Sequence, residues 1–119
     1  MLIEVSIGEI YDKISILSIK LEKVKNEEAK FNILKEYTML VDSVKHAHEK
    51  EELYEQLLVV NKNLWAYEDK IREFEKLNLF NEEFIIIARS IYKENDKRAQ
   101  IKKTINLKYK SDLIEEKLY

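Results

Sequence analysis

Apolar residues recur along this chain in alternating steps of three and four, the spacing that lines up on one face of an α-helix. The clearest row is Leu53, Leu57, Val60, Leu64, Tyr67, Ile71, Phe74. About one residue further round the same helix runs a second row, Leu58, Asn61, Trp65, Glu68, Arg72, in which apolar and ionisable groups mix. Such a flank borders a core without lying wholly inside it. Nearer the start, Ile7, Ile10, Ile14, Leu17, Leu21 and Val24 form a row widened by Ile16 and Ile19, with Tyr11 on the other side, and this predicts a helix touched by more than one neighbour. Between Glu27 and Glu49 the row is thinner (Phe31, Leu34, Tyr37, Val41, Val44) and predicts packing on one side only. A last row begins Phe84, Ala88, Ile91, passes through Asn95, Arg98 and Lys102, and regains apolar character at Ile105 and Tyr109.

Helix ends can be placed from capping chemistry. Ser6-Ile7-Gly8-Glu9 has capping-box spacing, and Asn26 and Asn81 precede the acidic pairs Glu27-Glu28 and Glu82-Glu83, favourable at the positive end of a helix dipole. Asn78 can take the left-handed conformation that closes a helix near Leu77. Ser111 or Asp112 can cap a short segment, Leu113 to Tyr119, folding back over the bundle. Residues 45–52 read equally well as a turn or as continuous helix. The predicted fold is all-α, a mainly antiparallel bundle of four long helices plus a short C-terminal helix, with the first and third helices at its centre.

Composition agrees with that reading. One Gly, no Pro and 37% charged residues leave little of the punctuation that sheets and long loops require. A length of 119 residues fits a single helical domain, 1–119, burying roughly two-thirds of its unfolded surface. The formal charge of −2 gives no basic excess to attract nucleic acid. With no Cys there is no disulfide framework, thiolate nucleophile or Cys-based zinc site. No apolar run approaches the ~20 residues of a membrane span, and the first residues do not read as a signal segment, so a cytoplasmic protein is expected.

The candidate chemistry lies in two segments. Arg72, Arg89 and Arg98 are the three arginines in a chain of 21 Lys and Arg, and they fall beside Asn61, Trp65, Glu68 and Asp69 in the third helix or Tyr92, Asn95, Asp96, Lys102 and Asn106 in the fourth. A guanidinium holds a carboxylate or phosphate with two parallel hydrogen bonds, which an ammonium cannot do. These twelve residues are therefore the candidate ligand or anion site. The alternative is a polar network that fixes helix register, Glu68 pairing with Arg72 and Asp69 or Asp96 taking another arginine. No catalytic residue, metal ligand or cofactor is specified by any motif.

The string Asn61-x-x-Leu64-Trp65-x-x-Glu68-Asp69-Lys70-Ile71-Arg72, followed by Ala88-Arg89-x-Ile91-Tyr92, Asn95-Asp96-x-Arg98-Ala99, Lys102, Ile105-Asn106 and Glu115-Glu116-Lys117, resembles a small uncharacterised family of helical proteins of bacteria and their phages. The opening Ser6-Ile7-Gly8-Glu9-Ile10-x-Asp12-Lys13-Ile14 is similar to the start of the same family, so the likeness spans nearly the whole chain. Leu118 stands where the family's tail has Ser. The resemblance implies a setting among genes for lipopolysaccharide and other surface-sugar assembly, with no established activity.

Other features mislead more readily. Glu51-Glu52-x-x-Glu55 is similar to the first acidic motif of the all-α nucleotide pyrophosphohydrolases, but no second E-x-x-D follows it; Glu9-x-x-Asp12 precedes it, and the glutamates read as a solvated face. His46 and His48 point about 200° apart on a regular helix, cannot grip one metal, and are expected at the surface. Tyr11, Tyr37, Tyr54, Tyr67 and Tyr109 read as boundary residues with wet hydroxyls, and Trp65 as a core-edge anchor. Two functional classes follow: a binding or accessory protein with a small-molecule or protein partner, able to form a homodimer through a wide first helix and a sparse second one; and an enzyme on a nucleotide or sugar phosphate, with an arginine on the anion and Glu68, Asp69 or Asp96 as metal ligand or general base.

Overall fold

The structure, a computed structural model, describes residues 1–44 and 48–119. It is an all-α bundle: α1 (Ile7–Lys23), α2 (Glu27–Ser43), α3 (Glu52–Lys76) and α4 (Glu82–Lys108), with a 3-10 turn at His48–Lys50, and no strand occurs among the described residues. Caps set the boundaries. Ser6 accepts from the Glu9 amide, Asn26 from Ala29 and Asn81 from Phe84, each satisfying an N–H that the first turn leaves free. Asn78 adopts φ 55° after α3 ends, as its short polar side chain allows.

α1 is the axis of the bundle, packed against α2, α3 and α4, and α3 and α4 form a long antiparallel hairpin. α4 thus joins α1 and α3 at the centre. Tyr11 and Ile14 of α1 meet Tyr54 and Leu57 of α3 and Ile105 of α4, with Tyr37, Leu40 and Val41 of α2 against the outside of that cluster. No residue of α2 is fully buried, consistent with its one-sided apolar row.

Several expectations need correction. The break between α2 and α3 is real, because α2 stops at Ser43 and α3 starts at Glu52; His46 lies outside the described residues. His48 is not at the surface: it is 2% exposed, its ring edge-on to Tyr54 with centroids 4.8 Å apart, because the 3-10 turn directs it inward. Tyr11 and Tyr54 are buried rather than at the boundary, and burial pushes both phenols up to about 12. No C-terminal helix forms. Seven residues are too few to repay helix nucleation without packing, and Ser111 is used elsewhere, accepting from the Ile7 amide at 3.1 Å. Glu51 is buried as well. Its carboxylate caps α3 and accepts from Lys108 Nζ at 2.9 Å and from the Tyr109 hydroxyl, closing the base of the α3–α4 hairpin.

The tightest helix contact is at Gly8. Its amide donates to Asn106 Oδ1 at 2.6 Å, and a Cβ there would stand 2.5 Å from the Lys102 carbonyl oxygen, so α1 and α4 approach as closely as they do because no side chain intervenes. Gly8→Ala should cost about 1–3 kcal/mol by forcing the two backbones apart, read as a lower midpoint in urea unfolding. The Glu51 site predicts acid sensitivity. Burial raises this carboxyl, but bonds from Tyr109, Lys108 and the Leu53 amide more than offset that and hold it below its usual 4.5. Its contribution is complete above pH 4.5 and is lost as pH falls through the lower folded value, so Glu51→Gln should flatten the acid limb of a stability-versus-pH curve.

Candidate functional site

The polar residues of α4 do not interrupt a single stripe. They form a separate face. Ile87, Glu94 and Ile101 lie toward α3, whereas Arg98, Lys102 and Asn106, at steps of four, lie toward α1. α1 answers them with Gly8, Asp12 and Ser15, a stripe of small and polar residues at helical spacing inside an otherwise apolar helix.

Asp12 is the centre of this arrangement and is 0% exposed. One carboxylate oxygen accepts from Asn61 Nδ2 at 2.9 Å and from Arg98 Nε at 2.9 Å; the other accepts from Arg98 Nη2 at 2.5 Å, with Lys102 Nζ at 3.7 Å. Asn61 also donates to Ser15 Oγ at 2.7 Å, and Ser15 donates to the Asp12 carbonyl. Three helices thus converge on one buried charge. The Arg98 guanidinium is held above its ordinary value, chiefly by its hydrogen bonds to Asp12 and against the opposing effect of burial. Lys102 donates to Glu9 at 2.7 Å and stands 3.9 Å from Glu115 of the C-terminal tail.

Arg98 is also a wall between two depressions. On one side a cleft of about 750 Å³ lies between α1, α4 and the tail, lined by Glu9, Tyr92, Asn95, Asp96, Arg98, Lys102, Glu115, Lys117 and Tyr119. On the other a smaller depression of about 380 Å³ holds Asn61, Trp65, Glu68, Asp69, Arg72, Asn95 and Arg98 over Ile16 and Ile19. Arg98 Nε and Nη2 point inward to Asp12, and Nη1 donates to Asn95 Oδ1 at 3.5 Å, so the outer edge of the fork faces the clefts.

The sequence candidates therefore divide. Asn61, Trp65, Glu68, Asp69, Arg72, Asn95 and Arg98 share the smaller depression, while Tyr92, Asp96 and Lys102 join Asn95 and Arg98 in the larger one. Asn106 sits below, buried and committed to Gly8. Arg89 is exposed and belongs to neither depression, because it lies on the side of α4 turned away from α1. Arg72 meets Glu68 at 3.9 Å, the pairing expected one turn apart. The other expected partners are corrected: Arg98 takes Asp12, and neither Asp69 nor Asp96 replaces it. Trp65 is half-buried, with the Lys23 ammonium 5.6 Å from its ring.

Sequence reasoning missed Asp12, Ser15, Gly8 and Glu9 as partners of the arginine, and Lys117 and Tyr119 as cleft lining. The Gly8-Asp12-Ser15 stripe was the available signal for the first group. For the tail, the expected fold-back of Leu113 to Tyr119 pointed to a contact with the bundle but not to which residues it would meet. Among the described residues no group of three or more His, Asp or Glu side chains is arranged to ligate a metal ion, and no helix is long and apolar enough to cross a membrane.

Fold and site together define an all-α bundle in which a buried carboxylate holds an arginine at the floor of a surface cleft. By sequence the chain belongs to a family of unknown function, DUF6165, whose family model covers residues 1–119. No curated protein and no solved structure matches it.

Asp12→Ala should destabilise the fold by about 3–5 kcal/mol, because it leaves the half-buried Arg98 without its carboxylate partner and the Asn61 amide with Ser15 alone as acceptor. Arg72→Ala, which removes only an exposed pair, should fall within about 0.5 kcal/mol of wild type in the same denaturation assay.

Proposed function

We propose that this protein is a non-catalytic binding or accessory protein that holds a small anionic ligand in the cleft between α1, α4 and the tail, and that it serves surface-polysaccharide assembly in the cytoplasm, the setting its family resemblance implies. One observation carries the reading: Arg98 is fixed on its inner edge by Asp12 and turned to the cleft on its outer edge, with its side chain 30% exposed. A fork that is already oriented loses little entropy when an anion docks, which is the usual source of affinity in a preformed site. Lys117, 3.3 Å from Glu115, adds a second cation from the tail, and Tyr92 offers an exposed ring to the same cleft.

The competing enzyme reading draws less from the geometry. Asp12 is fully buried with both oxygens engaged by Asn61 and Arg98, and Glu51, the first residue of the pyrophosphohydrolase-like acidic motif, is turned into the protein onto Lys108 and Tyr109. Glu52 and Glu55 line a different groove.

Thermal-shift and calorimetric titration with inorganic phosphate, sugar 1-phosphates and uronic acids tests the proposal. A binder in hundredfold excess over its dissociation constant should stabilise by about 2.7 kcal/mol. Lys117→Glu should weaken that binding without altering the unliganded melting temperature, and Arg98→Lys should abolish it. A panel that leaves the melting temperature unmoved would overturn the anion site, and steady product formation from a sugar or nucleotide phosphate would favour the enzyme.

A further inference from the structure

The large cleft beside Arg98 is not simply basic. Its lining carries three cations, Arg98, Lys102 and Lys117, and three acids, Glu9, Asp96 and Glu115. Pairing accounts for most of this charge: Asp12, beneath the cleft, takes Arg98, Glu9 takes Lys102 at 2.7 Å, and Glu115 takes Lys117 at 3.3 Å. Asp96 is the acid left over. It is exposed, and among the described residues no cation pairs with it; the Tyr119 hydroxyl donates to it. An ionised carboxylate has about four acceptor sites, so one phenol leaves most of them to a ligand.

The helix sets Arg98 and Asp96 on opposite walls. Rotation of about 100° per residue puts Ala99 about 100° and Asp96 about 160° round α4 from Arg98. Arg98 thus stands on the wall toward α1 and Asp96 on the wall toward the tail, with the small, half-buried Ala99 on the floor between them. Tyr92 comes one turn before Asp96 and is 54% exposed, so a carboxylate and an aromatic ring share the tail-side wall.

A carboxylate beside an aromatic ring suits an alkylammonium, whose hydrogen bonds the acid accepts and whose charge the ring face attracts. A plain anion fares worse. Asp96 repels it while Arg98 attracts it, and each cation of the cleft already has an acid of its own. With Asp12 included, four acids stand in and under the cleft against three cations, so one added positive charge is favoured. A ligand carrying both signs is attracted at both walls, and about 750 Å³ is ample for a small molecule.

We propose, on the reading of this cleft as an anion site, that its ligand is zwitterionic: a phosphate or carboxylate held by Arg98 and, a few bonds away, a primary ammonium held by Asp96 and Tyr92.

Calorimetric titration near neutral pH with matched esters tests this: 2-aminoethyl phosphate against ethyl phosphate, and 3-aminopropyl phosphate against propyl phosphate, the second pair allowing a wider span between the walls. In at least one pair the amino ester should bind about five- to thirtyfold tighter, the combined effect of an exposed ion pair and a cation–π contact. Asp96→Asn should remove most of that preference and Tyr92→Leu part of it. Neither should weaken the plain esters or lower the unliganded melting temperature, since both positions are exposed. The same headgroup occurs in soluble esters and in phosphatidylethanolamine. Flotation with phosphatidylcholine vesicles only when they contain that lipid, lost in Asp96→Asn, places the ligand on a membrane; a calorimetric preference without flotation places it in solution, and either supports the proposal. Equal affinity within both pairs, or a preference that Asp96→Asn leaves intact, overturns the ammonium subsite and leaves the anion reading standing. Failure of all four esters to bind overturns both.

Discussion

Everything in this structure turns on the carboxylate of Asp12. A fully buried charge is costly to desolvate, and the cost is offset here because the two oxygens are met by a bidentate guanidinium from α4 and an amide from α3. The consequence is register. Apolar side chains along α1 and α4 could be matched at more than one offset, but a shift of one turn would leave Asp12 without Arg98, Glu9 without Lys102 and the Gly8 amide without Asn106. Three polar contacts and one missing side chain all select the same offset. Ordinary apolar packing by Ile14, Leu57 and Ile105 then fills the space between.

That constraint also shapes the cleft. A surface arginine normally samples many conformers, and holding it still costs side-chain entropy. Here the folding of the bundle has already met that cost, because Asp12 fixes Nε and Nη2. The same bonds divide the α4 cations into roles: Arg98 presents an oriented outer edge, whereas Lys102 is engaged by Glu9 and lies near Asp12 and Glu115. The tail contributes differently. Glu115 and Glu116 reach Lys102 and Lys103 only through long pairs at 3.9 and 3.5 Å, contacts that exposure to water makes weak. The cleft therefore has one rigid wall, built from α1 and α4, and one lightly held wall carrying Lys117 and Tyr119.

Much of the helical framework was legible because it depends on local chemistry. Ser6, Asn26, Asn78 and Asn81 mark their boundaries through bonds that span only a few residues, and the row through Leu57, Val60 and Leu64 reports a buried face directly. The arginines, too, drew attention by type. What could not be read was which acid each would meet, since Asp12 and Arg98 are 86 residues apart and periodicity carries no information about pairing between helices. His48 and Glu51 were misjudged for a related reason: in a run of charged residues the sequence gives no direction, and only the turn geometry sends these two inward. Arg89 shows the converse. It shares a segment with the site residues but lies on another side of α4, and proximity in sequence does not survive the 100° rotation per residue of a helix.

The difference in length between α1 and the α3–α4 hairpin links the polar centre to the exposed end. Asp12 lies in the second turn of α1 and anchors that helix near the base of the hairpin, so its remaining turns end opposite Trp65 and cannot cover the distal part. Had α1 been anchored further along, it could have covered more of the distal hairpin on its own side. Instead a two-helix arm extends past the three-helix core, stiffened by the Lys70–Glu83 pair and by the turn at Asn78 but with little buried apolar surface of its own. Two helices alone bury too little for such an arm to persist on propensity, and helices in proteins owe most of their stability to packing of an amphipathic face. The buried ion pair thus does two things at once: it fixes the cleft on one side of α4, and by setting where α1 stops it leaves the distal end of the hairpin outside the three-helix core.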